Sequence, residues 1–407
     1  MFDSMWLRSS IHSNDGVWRS ISDFRLTHRR QEGFERVKKN CSSLESMAST
    51  HAVRSVLRRF PAFMAEHEPD TVLLQSISDG LINATWRVGG GGGFIIQRLH
   101  PIFGPEVNDD IAAMTPILRR AGVPVPEIYP ADDGRWCVEV AQDRADSEVW
   151  RLLGALEGQT IHRVHQPRYA RSAAEAIADF HAALDGVAYE FRSVRPGAHD
   201  TDAHLAHARA TVEGTPNHRL IAPVDRIVDE LTDRWSRCPR PPATLPTRIV
   251  HGDLKISNLL FSSAGEVSGI IDLDTMARST LHIELGDMLR SWCNPAGEDA
   301  TEAVFSEQIF HAATTGYLAN AGDWLDEQEV LSWVCGLERI ALELAARFAA
   351  DAIAECYFGW SPQIAPSRGE HNLIRSENQL QLARAVASRR SALQDRLVTS
   401  FRSAASS

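Results

Sequence analysis

The sequence HGDLKISN at residues 251–258 is followed by IIDLD at residues 270–274, and these two stretches are the most informative about the fold. In the first stretch, a lysine lies two residues after Asp253 and an asparagine lies five residues after it. In the second, Asp272 follows two isoleucines, 19 residues after Asp253. The apolar residues around each stretch predict a strand, a polar loop and a second strand over residues 248–276.

Lysine is rare in this chain, which makes the lysine of the loop informative. Lysine and arginine total 42 residues, but only Lys38, Lys39 and Lys255 are lysines. Arginine occupies the other basic positions. A single lysine inside a polar motif indicates a specific use of its compact ammonium charge, which a planar guanidinium does not reproduce.

These residue types fit phosphoryl transfer, which depends on positioning and on positive charge around the transferred group. Asp253 is predicted to accept a hydrogen bond from an acceptor hydroxyl and to take its proton late. Asn258 and Asp272 supply the hard oxygen ligands that Mg²⁺ prefers. Lys255 is predicted to contact a γ-phosphate oxygen. Asp274 lies on the same strand face as Asp272 and is a candidate second metal ligand or substrate contact.

The alternative interpretation of the two motifs is a polar surface turn followed by an ordinary strand end. Their joint occurrence in this order and spacing favours the chemical interpretation. His251 is interpreted as an anchor for the loop rather than as a proton carrier.

Two glycine-containing turns lie among the short apolar runs between residues 71 and 99. Five consecutive glycines at 89–93 predict a hairpin turn, because no helix follows to present N–H groups to a phosphate. The earlier turn at 78–83 is the better candidate for a phosphate-binding loop, since its glycine permits close approach of the backbone. Gly80 and Asn83 are therefore predicted nucleotide contacts.

The bulk composition limits the class of protein. A hydrophobic fraction of 43% and a charged fraction of 23% are typical of a soluble globular chain. The net charge of −11 argues against a nucleic-acid-binding surface. No run of about 18 uncharged apolar residues occurs, so no membrane span is predicted. Six scattered cysteines without zinc-site spacing predict reduced thiols and a cytoplasmic protein.

Length and patterning predict three parts in an α+β fold. Residues 1–46 are polar and are expected to be a disordered extension, or to precede the true start at Met47; a targeting or regulatory arm is the alternative. Residues 47–156 are predicted to form a small β-rich lobe with one helix, at 105–121. Residues 157–407 are predicted to form a large, mainly helical lobe that carries the catalytic loop and the acceptor site.

The stretch 248–276 resembles the aminoglycoside phosphotransferase and choline kinase group, small-molecule kinases with a protein-kinase-like two-lobed fold. Within that group, the pattern is most similar to the bacterial N-acetylhexosamine 1-kinases. The resemblance spans about residues 70–390 and implies ATP and Mg²⁺ as cofactors. It is carried by short motifs: GLIN at 80–83, FIIQR at 94–98, WR at 150–151, HGDLKISN at 251–258, IDLDT at 271–275, LGD at 285–287, ELAARF at 343–348 and HNLIR at 371–375 with Gln379.

Several residue roles follow from this resemblance. It implies Asp253 as the catalytic base, and Asn258 and Asp272 as magnesium ligands. Asp287 matches a helix aspartate that braces the backbone of the catalytic loop. Glu157 falls in the segment between the lobes, where backbone groups would bind adenine.

The third strand departs from the pattern of the family. Most of these kinases have a lysine there, and this chain offers Arg98 or Gln97 instead. The acid that would pair with it is left open among three residues of the following helix, Glu106, Asp109 and Asp110. Four further residues near the end of the chain are candidates for the acceptor pocket: Arg347, His371, Asn372 and Arg375.

Together these features predict transfer of the γ-phosphate of ATP to a hydroxyl of a small molecule. A sugar or amino sugar is the first choice, with the anomeric hydroxyl of an N-acetylhexosamine as the specific one. An aminoglycoside, choline or homoserine is the alternative acceptor. A catalytically inactive pseudokinase is the alternative of another class, and the presence of Asp253, Asn258 and Asp272 argues against it.

Overall fold

The computed structural model describes residues 42–77, 82–90, 93–141 and 147–404. The chain divides into two compact units, Met1–Arg58 and Arg59–Ser407. In the first unit, helix α1 spans Ser42–Leu57 and so begins before the predicted boundary at Met47. The rest of the predicted extension lies outside the described residues.

The second unit begins with a lobe built on an antiparallel sheet, here called the N-lobe. Its strands are β1 (Leu74–Ile77), β2 (Ala84–Val88), β3 (Phe94–Arg98), β4 (Ile128–Tyr129), β5 (Val138–Ala141) and β6 (Ser147–Gly154). Their order is β1-β2-β3-β6-β4, and β5 also pairs with β6. Strand β6 ends at Gly154, and the connection to the next lobe begins there.

The two glycine turns connect the strands of one meander. Strands β2 and β3 pair with Val88 opposite Phe94, which confirms the predicted hairpin, although Gly91 and Gly92 of the glycine run lie outside the described residues. Strands β1 and β2 pair with Ile77 opposite Thr85. Most of the turn between that pair, including the predicted nucleotide contact Gly80, lies outside the described residues.

Two helices complete the N-lobe: α2 (Pro61–Met64) and α3 (Val107–Arg120). The longer helix confirms the prediction of a helix at 105–121. It buries an apolar stripe at helical spacing and has acidic residues in its first turn and basic residues in its last. That charge distribution complements the helix dipole.

The second lobe, the C-lobe, contains five short strands: β7 (Gln159–Thr160), β8 (Arg248–Val250), β9 (Leu259–Phe261), β10 (Val267–Ile270) and β11 (Ala277–Ser279). Strands β7, β9 and β10 form one antiparallel sheet, and β8 pairs with β11. Single turns of 3₁₀ helix at Ile256–Asn258 and Leu273–Thr275 interrupt the run. The predicted strand–loop–strand arrangement is confirmed.

The rest of the C-lobe is helical, as expected from the periodicity. Its helices are α4 (Pro167–Leu184), α5 (Thr201–Gly214), α6 (Ile221–Arg237), α7 (Leu281–Trp292), α8 (Glu307–Asn320), α9 (Glu327–Ala354), α10 (Arg368–Ala387) and α11 (Arg390–Ala404). Helix α9 begins with a capping box in which Asp326 and Glu329 satisfy each other's backbone N–H groups.

Close packing of α7 on α9 depends on two glycines. A Cβ on Gly286 would lie 2.5 Å from the backbone of Gly336, so no larger residue fits at this crossing. The contact fixes the position of α7 relative to α9, next to the strand–loop–strand segment. It therefore sets where the acidic residues of α7 meet the catalytic loop.

The fold is the predicted two-lobed α+β arrangement. One apolar core runs from α3 of the N-lobe through α4, α7 and α8, and a second lies between α5, α6, α9 and α10. Among the described residues, no helix is both long and apolar enough to cross a bilayer. The described cysteines are free thiols; four are buried and Cys356 is exposed.

Candidate active site

The catalytic loop leaves strand β8 through a glycine that no other residue can replace. Gly252 has a φ of +81°, and a Cβ on it would lie 2.3 Å from the carbonyl oxygen of Thr275. The Thr275 hydroxyl in turn donates to the carbonyl of His251 at 2.8 Å. The loop is thus pressed against the turn that follows β10, which brings the two sequence motifs together.

The structure brings the predicted trio of Asp253, Lys255 and Asn258 into direct contact. The Lys255 ammonium donates to Asp253 Oδ2 at 2.7 Å. The amide nitrogen of Asn258 donates to the same oxygen at 3.1 Å and to the backbone carbonyl of Asp253 at 2.8 Å. The base candidate is therefore held in one orientation by two donors.

Asp272 lies on the other side of the same lysine. Its Oδ2 atom is 3.9 Å from the Lys255 ammonium. Asp272 adopts the left-handed conformation, with φ at 65° and ψ at 54°, which is uncommon for a residue other than glycine. This turn points its carboxylate back toward the catalytic loop rather than along the strand.

Burial has the largest single effect on the pKa of Asp272 and on that of Lys255. It raises the pKa of Asp272; the nearby Asp274 carboxylate raises that pKa further, and Lys255 opposes both. Burial lowers the pKa of Lys255, but the charges of Asp253 and Asp272 outweigh burial and leave it raised. Two carboxylates thus share one ammonium, an arrangement that a further cation would stabilise.

The residues present fit a magnesium ion. The Asn258 amide nitrogen is engaged by Asp253, which leaves its amide oxygen and the Asp272 carboxylate as hard oxygen donors. Within the described part of the chain, no cluster of three or more His, Cys, Asp or Glu side chains is arranged to hold a metal. One carboxylate, one amide, water and phosphate oxygens are a donor set that Mg²⁺ commonly takes in nucleotide sites.

Glu284 of α7 braces the catalytic loop, a role that the sequence assigned to Asp287. The Glu284 carboxylate accepts the backbone N–H of His251 at 2.8 Å and that of Gly252 at 3.0 Å. Asp287, one turn later, instead accepts from Arg290 at 2.8 Å. The two acids lie one turn apart on the same side of α7, and the charge of Asp287 is among the causes that raise the pKa of Lys255, but the backbone hydrogen bonds of the loop go to Glu284.

His251 is the anchor that the sequence analysis predicted. Its Nε2 atom donates to the carbonyl of Ile271 at 2.9 Å, and its Nδ1 atom accepts the N–H of Asp253 at 3.3 Å. With both nitrogens engaged in this way, the ring links the catalytic loop to the end of β10.

A cleft of about 210 Å³ lies between the lobes beside this loop. Its polar end is formed by Lys255, Ser257, Asn258 and Asp272. Its walls are mainly apolar and come from both lobes. They include Ile77, Ile82, Ile95, Pro126, Leu153, Leu156, Leu260 and Ile271.

The third strand places Gln97, not Arg98, in the cleft. Arg98 points to the other face of the sheet, where it pairs with Glu148 at 2.8 Å and packs on Trp150. The assignment of Arg98 as a nucleotide contact is therefore corrected. Neighbouring residues of a strand face opposite ways, so the choice between the two depended on register.

Two of the three candidate acids, Asp109 and Asp110, are paired with residues 189–193 and not with the third strand. Asp110 accepts hydrogen bonds from the Tyr189 hydroxyl and from the N–H groups of Arg192 and Ser193. Asp109 pairs with the Arg192 guanidinium at 2.7 Å. These acids instead tie the helix to the segment that follows α4.

The charge beside Gln97 comes from Arg151 on β6, which the sequence analysis missed as a site residue. Arg151 is 1% exposed. Its guanidinium donates to Gln97 at 2.6 and 2.8 Å and forms a two-point ion pair with Asp274. An arginine inside the apolar run VWRLL was the one available signal, since a buried charge requires a partner.

Asp274 is therefore committed to Arg151 rather than to substrate or metal. Its second oxygen also accepts from the Asn83 amide at 2.7 Å. Asn83 in turn accepts the N–H of His100 at 2.9 Å. Asn83 lines the cleft as predicted, but its hydrogen bonds serve Asp274, and the prediction of Asp274 as a ligand or substrate contact is corrected.

The family described as "Phosphotransferase enzyme family", APH, matches residues 74–319, more than half of the chain. The chain belongs to this family. The match includes the N-lobe sheet from β1 onward, the catalytic loop, the Asp272 turn and the bracing helix α7.

Solved structures with the same fold extend the comparison beyond the matched residues. An aminoglycoside phosphotransferase from Alicyclobacillus acidocaldarius is 14% identical with a TM-score of 0.55, over 83% of this chain and 96% of that chain. A microcompartment-associated aminopropanol kinase is 16% identical with a TM-score of 0.54, over 85% and 99%. At these identities the likeness shows the fold.

A sequence relative gives a shorter match. A homoserine kinase from Methylobacterium nodulans is 30% identical over 173 residues, which is 39% of this chain and 49% of the relative. The chain thus spans about half the length of the curated relative that it matches.

In this APH-family chain, the segment between the lobes contacts the cleft through Leu156 rather than through the side chain of Glu157, which is exposed. Two carbonyls of the segment already accept hydrogen bonds. Leu156 accepts from Arg87 at 3.3 Å, and Glu157 accepts from the Ser268 hydroxyl at 2.7 Å. Arg87, which also lines the cleft, is a second basic residue that the sequence analysis did not single out.

The four acceptor candidates of the C-lobe lie around one loop, residues 355–361. His371 and Arg375 both contact Asp299, at 2.9 and 2.6 Å. Arg347 packs over Tyr357 and Phe358. The structure therefore brings these elements together at one end of α9 and α10.

Two of the four are buried and shape the loop instead of facing solvent. His371 is 1% exposed and also accepts the N–H of Ser361. Asn372 is fully buried and donates to Asp351 at 2.8 Å. Arg347 and Arg375 remain partly exposed and stay candidates for contact with an acceptor.

Proposed function

We propose that this chain transfers the γ-phosphate of ATP to a hydroxyl group of a small molecule. One observation carries the proposal: Lys255 lies between Asp253 and Asp272, at the polar end of a mainly apolar cleft between two lobes. Phosphoryl transfer needs this combination of an oriented carboxylate, a compact cation and oxygen donors for a metal.

Asp253 is the proposed base. Lys255 and Asn258 hold one of its oxygens, so the other is free to accept a hydrogen bond from an acceptor hydroxyl. Lys255 stays protonated because its pKa is raised by the two carboxylates, although burial lowers it. Its charge lies where a transferred phosphoryl group would pass.

Asp272 and Asn258 are the proposed magnesium ligands, and a bound Mg²⁺ would offset charge on the nucleotide phosphates. The apolar walls of the cleft fit an adenine ring. Lys255 and Arg87 are the basic residues among those lining the cleft, and they come from different lobes. Because the third strand contributes Gln97, the phosphate end relies on Lys255 and on the metal.

A sugar or amino sugar is the proposed acceptor, with the anomeric hydroxyl of an N-acetylhexosamine as the specific candidate. Support comes from the loop at 355–361, where Tyr357 is 62% exposed and Trp360 is 39% exposed. Exposed aromatic faces next to arginines suit a neutral polar ring. The loop connects to helix α7 through Arg375, Asp299 and the Glu298–Arg290 pair.

An aminoglycoside, choline or homoserine is the second candidate class of acceptor. The partial match to a homoserine kinase favours it, since that relative acts on a hydroxyl of an amino acid by its name. Both classes use the same base and metal ligands, so the acceptor alone distinguishes them.

An ADP-release assay with Mg²⁺ over sugars, amino sugars, aminoglycosides, choline and homoserine tests the proposal. We expect acceptor-dependent ADP release with an N-acetylhexosamine, and none with the Asp253→Asn variant. ADP release only with an aminoglycoside, homoserine or choline would assign the acceptor to the second class. ATP binding without release for any acceptor would support the pseudokinase instead.

A further inference from the structure

Arg151 and Asp274 form the most completely buried ion pair between the two lobes among the described residues, and they do not line the cleft. We infer that this pair positions Asp272 for its metal and makes that position depend on how the N-lobe sits on the C-lobe. The inference rests on the proposed function, since Asp272 is the proposed ligand. Arg151 and Asp274 are positioning residues and not catalytic ones.

The pair is fixed on its N-lobe side by three strands. Arg151 lies on β6 and pairs in register with Gln97 of β3. Gln97 accepts from Arg151 and donates to Thr85 of β2 at 3.1 Å. Asn83, just before β2, donates to Asp274. The carboxylate of Asp274 is thus held by groups that move with the N-lobe sheet.

On the C-lobe side, Asp274 belongs to the turn that sets the direction of Asp272. It lies within the 3₁₀ turn Leu273–Thr275, immediately after the left-handed Asp272. A left-handed conformation outside glycine costs free energy and persists only when its surroundings fix it. Two residues after Asp272, Asp274 accepts three hydrogen bonds from two residues, Arg151 and Asn83. One residue before Asp272, the N–H of Ile271 donates to the carbonyl of Asn258.

These contacts make a mechanical connection from the N-lobe sheet to the proposed metal ligand. A shift of the N-lobe that broke the Arg151–Asp274 contact would leave a buried charge without its partner, which is strongly unfavourable. The arrangement of the two lobes that forms the cleft therefore also keeps Asp272 in position. Residues outside the ligand set often control metal affinity in this way.

The test combines a magnesium titration with nucleotide binding for Asp274→Asn and for Arg151→Met/Asp274→Asn. We expect the half-saturating Mg²⁺ concentration and the Kd for a fluorescent ATP analogue to rise by about tenfold or more in both. The KM of the acceptor should change less than twofold. Arg98→Met, which removes an exposed pair of the same sheet, is the matched control and should leave all three values unchanged.

The double variant separates positioning from folding. Asp274→Asn alone leaves Arg151 unpaired, so its thermal midpoint should fall, and removal of both charges should restore much of that midpoint. The Mg²⁺ requirement should stay raised in the double variant. Recovery of both properties together would overturn the inference, because the pair would then serve folding alone.

Gln97→Met keeps the test decisive if Asp274→Asn does not fold. It removes the bridge between Arg151 and β2 without leaving a net charge, and we expect a smaller rise in the Mg²⁺ requirement. If the Asp274 and Gln97 variants both fold and both keep the Mg²⁺ dependence of the unaltered protein, the positioning role is refuted. Absence of nucleotide binding in the unaltered protein would instead refute the proposed function, so the two failures are distinguishable.

Discussion

The Lys255 ammonium lies 2.7 Å from a carboxylate oxygen of Asp253 and 3.9 Å from one of Asp272. One cation thus stands between the proposed base and the proposed metal ligand. Its pKa is raised because the two carboxylates outweigh the effect of burial. The charge at this point is therefore present throughout the neutral pH range.

Asp253→Asn should remove the proton acceptor while keeping the size of the side chain. We expect kcat to fall by about 10²–10⁴-fold, which is the usual contribution of general base catalysis. The Kd for ATP with Mg²⁺ should stay close to that of the unaltered protein, because the ligands Asp272 and Asn258 remain. Steady-state ADP release and equilibrium nucleotide binding measure the two effects; residual activity within tenfold of the original would show that the base lies elsewhere.

Lys255→Ala should lower kcat more than Lys255→Arg does. The arginine keeps the charge, but its planar fork does not reproduce a point contact with both carboxylates. Glu266→Gln, on the exposed turn between β9 and β10, serves as the control. The comparison is made on kcat at saturating ATP; equal losses in the two lysine variants would mean that the shape of the ammonium matters as much as its charge.

Glu284→Ala should loosen the catalytic loop, because two backbone N–H groups lose their acceptor. We expect a loss of about 1.5–3 kcal/mol in the free energy of unfolding, since both hydrogen bonds go to a buried charged group. Urea unfolding measures the loss. A parallel drop in kcat with little change in the KM of ATP would distinguish a loop effect from general instability, and Glu284→Gln should recover part of both.

The contact between α6 and α10 should make the stability of the fold depend on pH in the acidic range. Hydrogen bonds from Arg384, then from Arg234, outweigh burial and lower the pKa of Glu230 to about 2, from an ordinary value of 4.5. A carboxylate with a lowered pKa stabilises the fold above its ordinary pKa, and that contribution disappears as the pH falls from 4.5 toward 2. Glu230→Gln should therefore lower the thermal midpoint near pH 7, by a small amount because Glu230 is about a third exposed.

The control for Glu230 is the pH dependence itself. The difference in midpoint between the variant and the unaltered protein should shrink steadily below pH 4.5. A difference that stays constant down to pH 3 would mean that Glu230 contributes through packing and not through its charge.

The sequence predicted those features whose residues lie close together along the chain. Asp253, Lys255 and Asn258 meet within one loop, so their spacing alone was sufficient. His251 and the strand–loop–strand arrangement are local in the same sense. The two lobes could be predicted because strand patterns dominate before about residue 155 and helical periodicity dominates after it, apart from the strand–loop–strand segment at 248–276.

Features that depend on register or helical phase could not be predicted in the same way. Gln97 and Arg98 are neighbours, and one residue of register decides which of them faces the cleft. Glu284 and Asp287 are one turn apart on the same side of α7, and only the position of α7 along its axis relative to the loop decides which carboxylate accepts the backbone N–H groups. Arg151 and Asp274 are 123 residues apart and become partners only when the lobes assemble.

The position of Lys255 has a practical consequence. The other two lysines of the chain, Lys38 and Lys39, precede the described residues. Selective ¹⁵N labelling of lysine side chains would thus give a spectrum with a single resonance from the part of the chain that the structure describes, and that nucleus sits between the two key carboxylates. Nucleotide, metal and acceptor could each be titrated against this one signal, without any substitution in the protein.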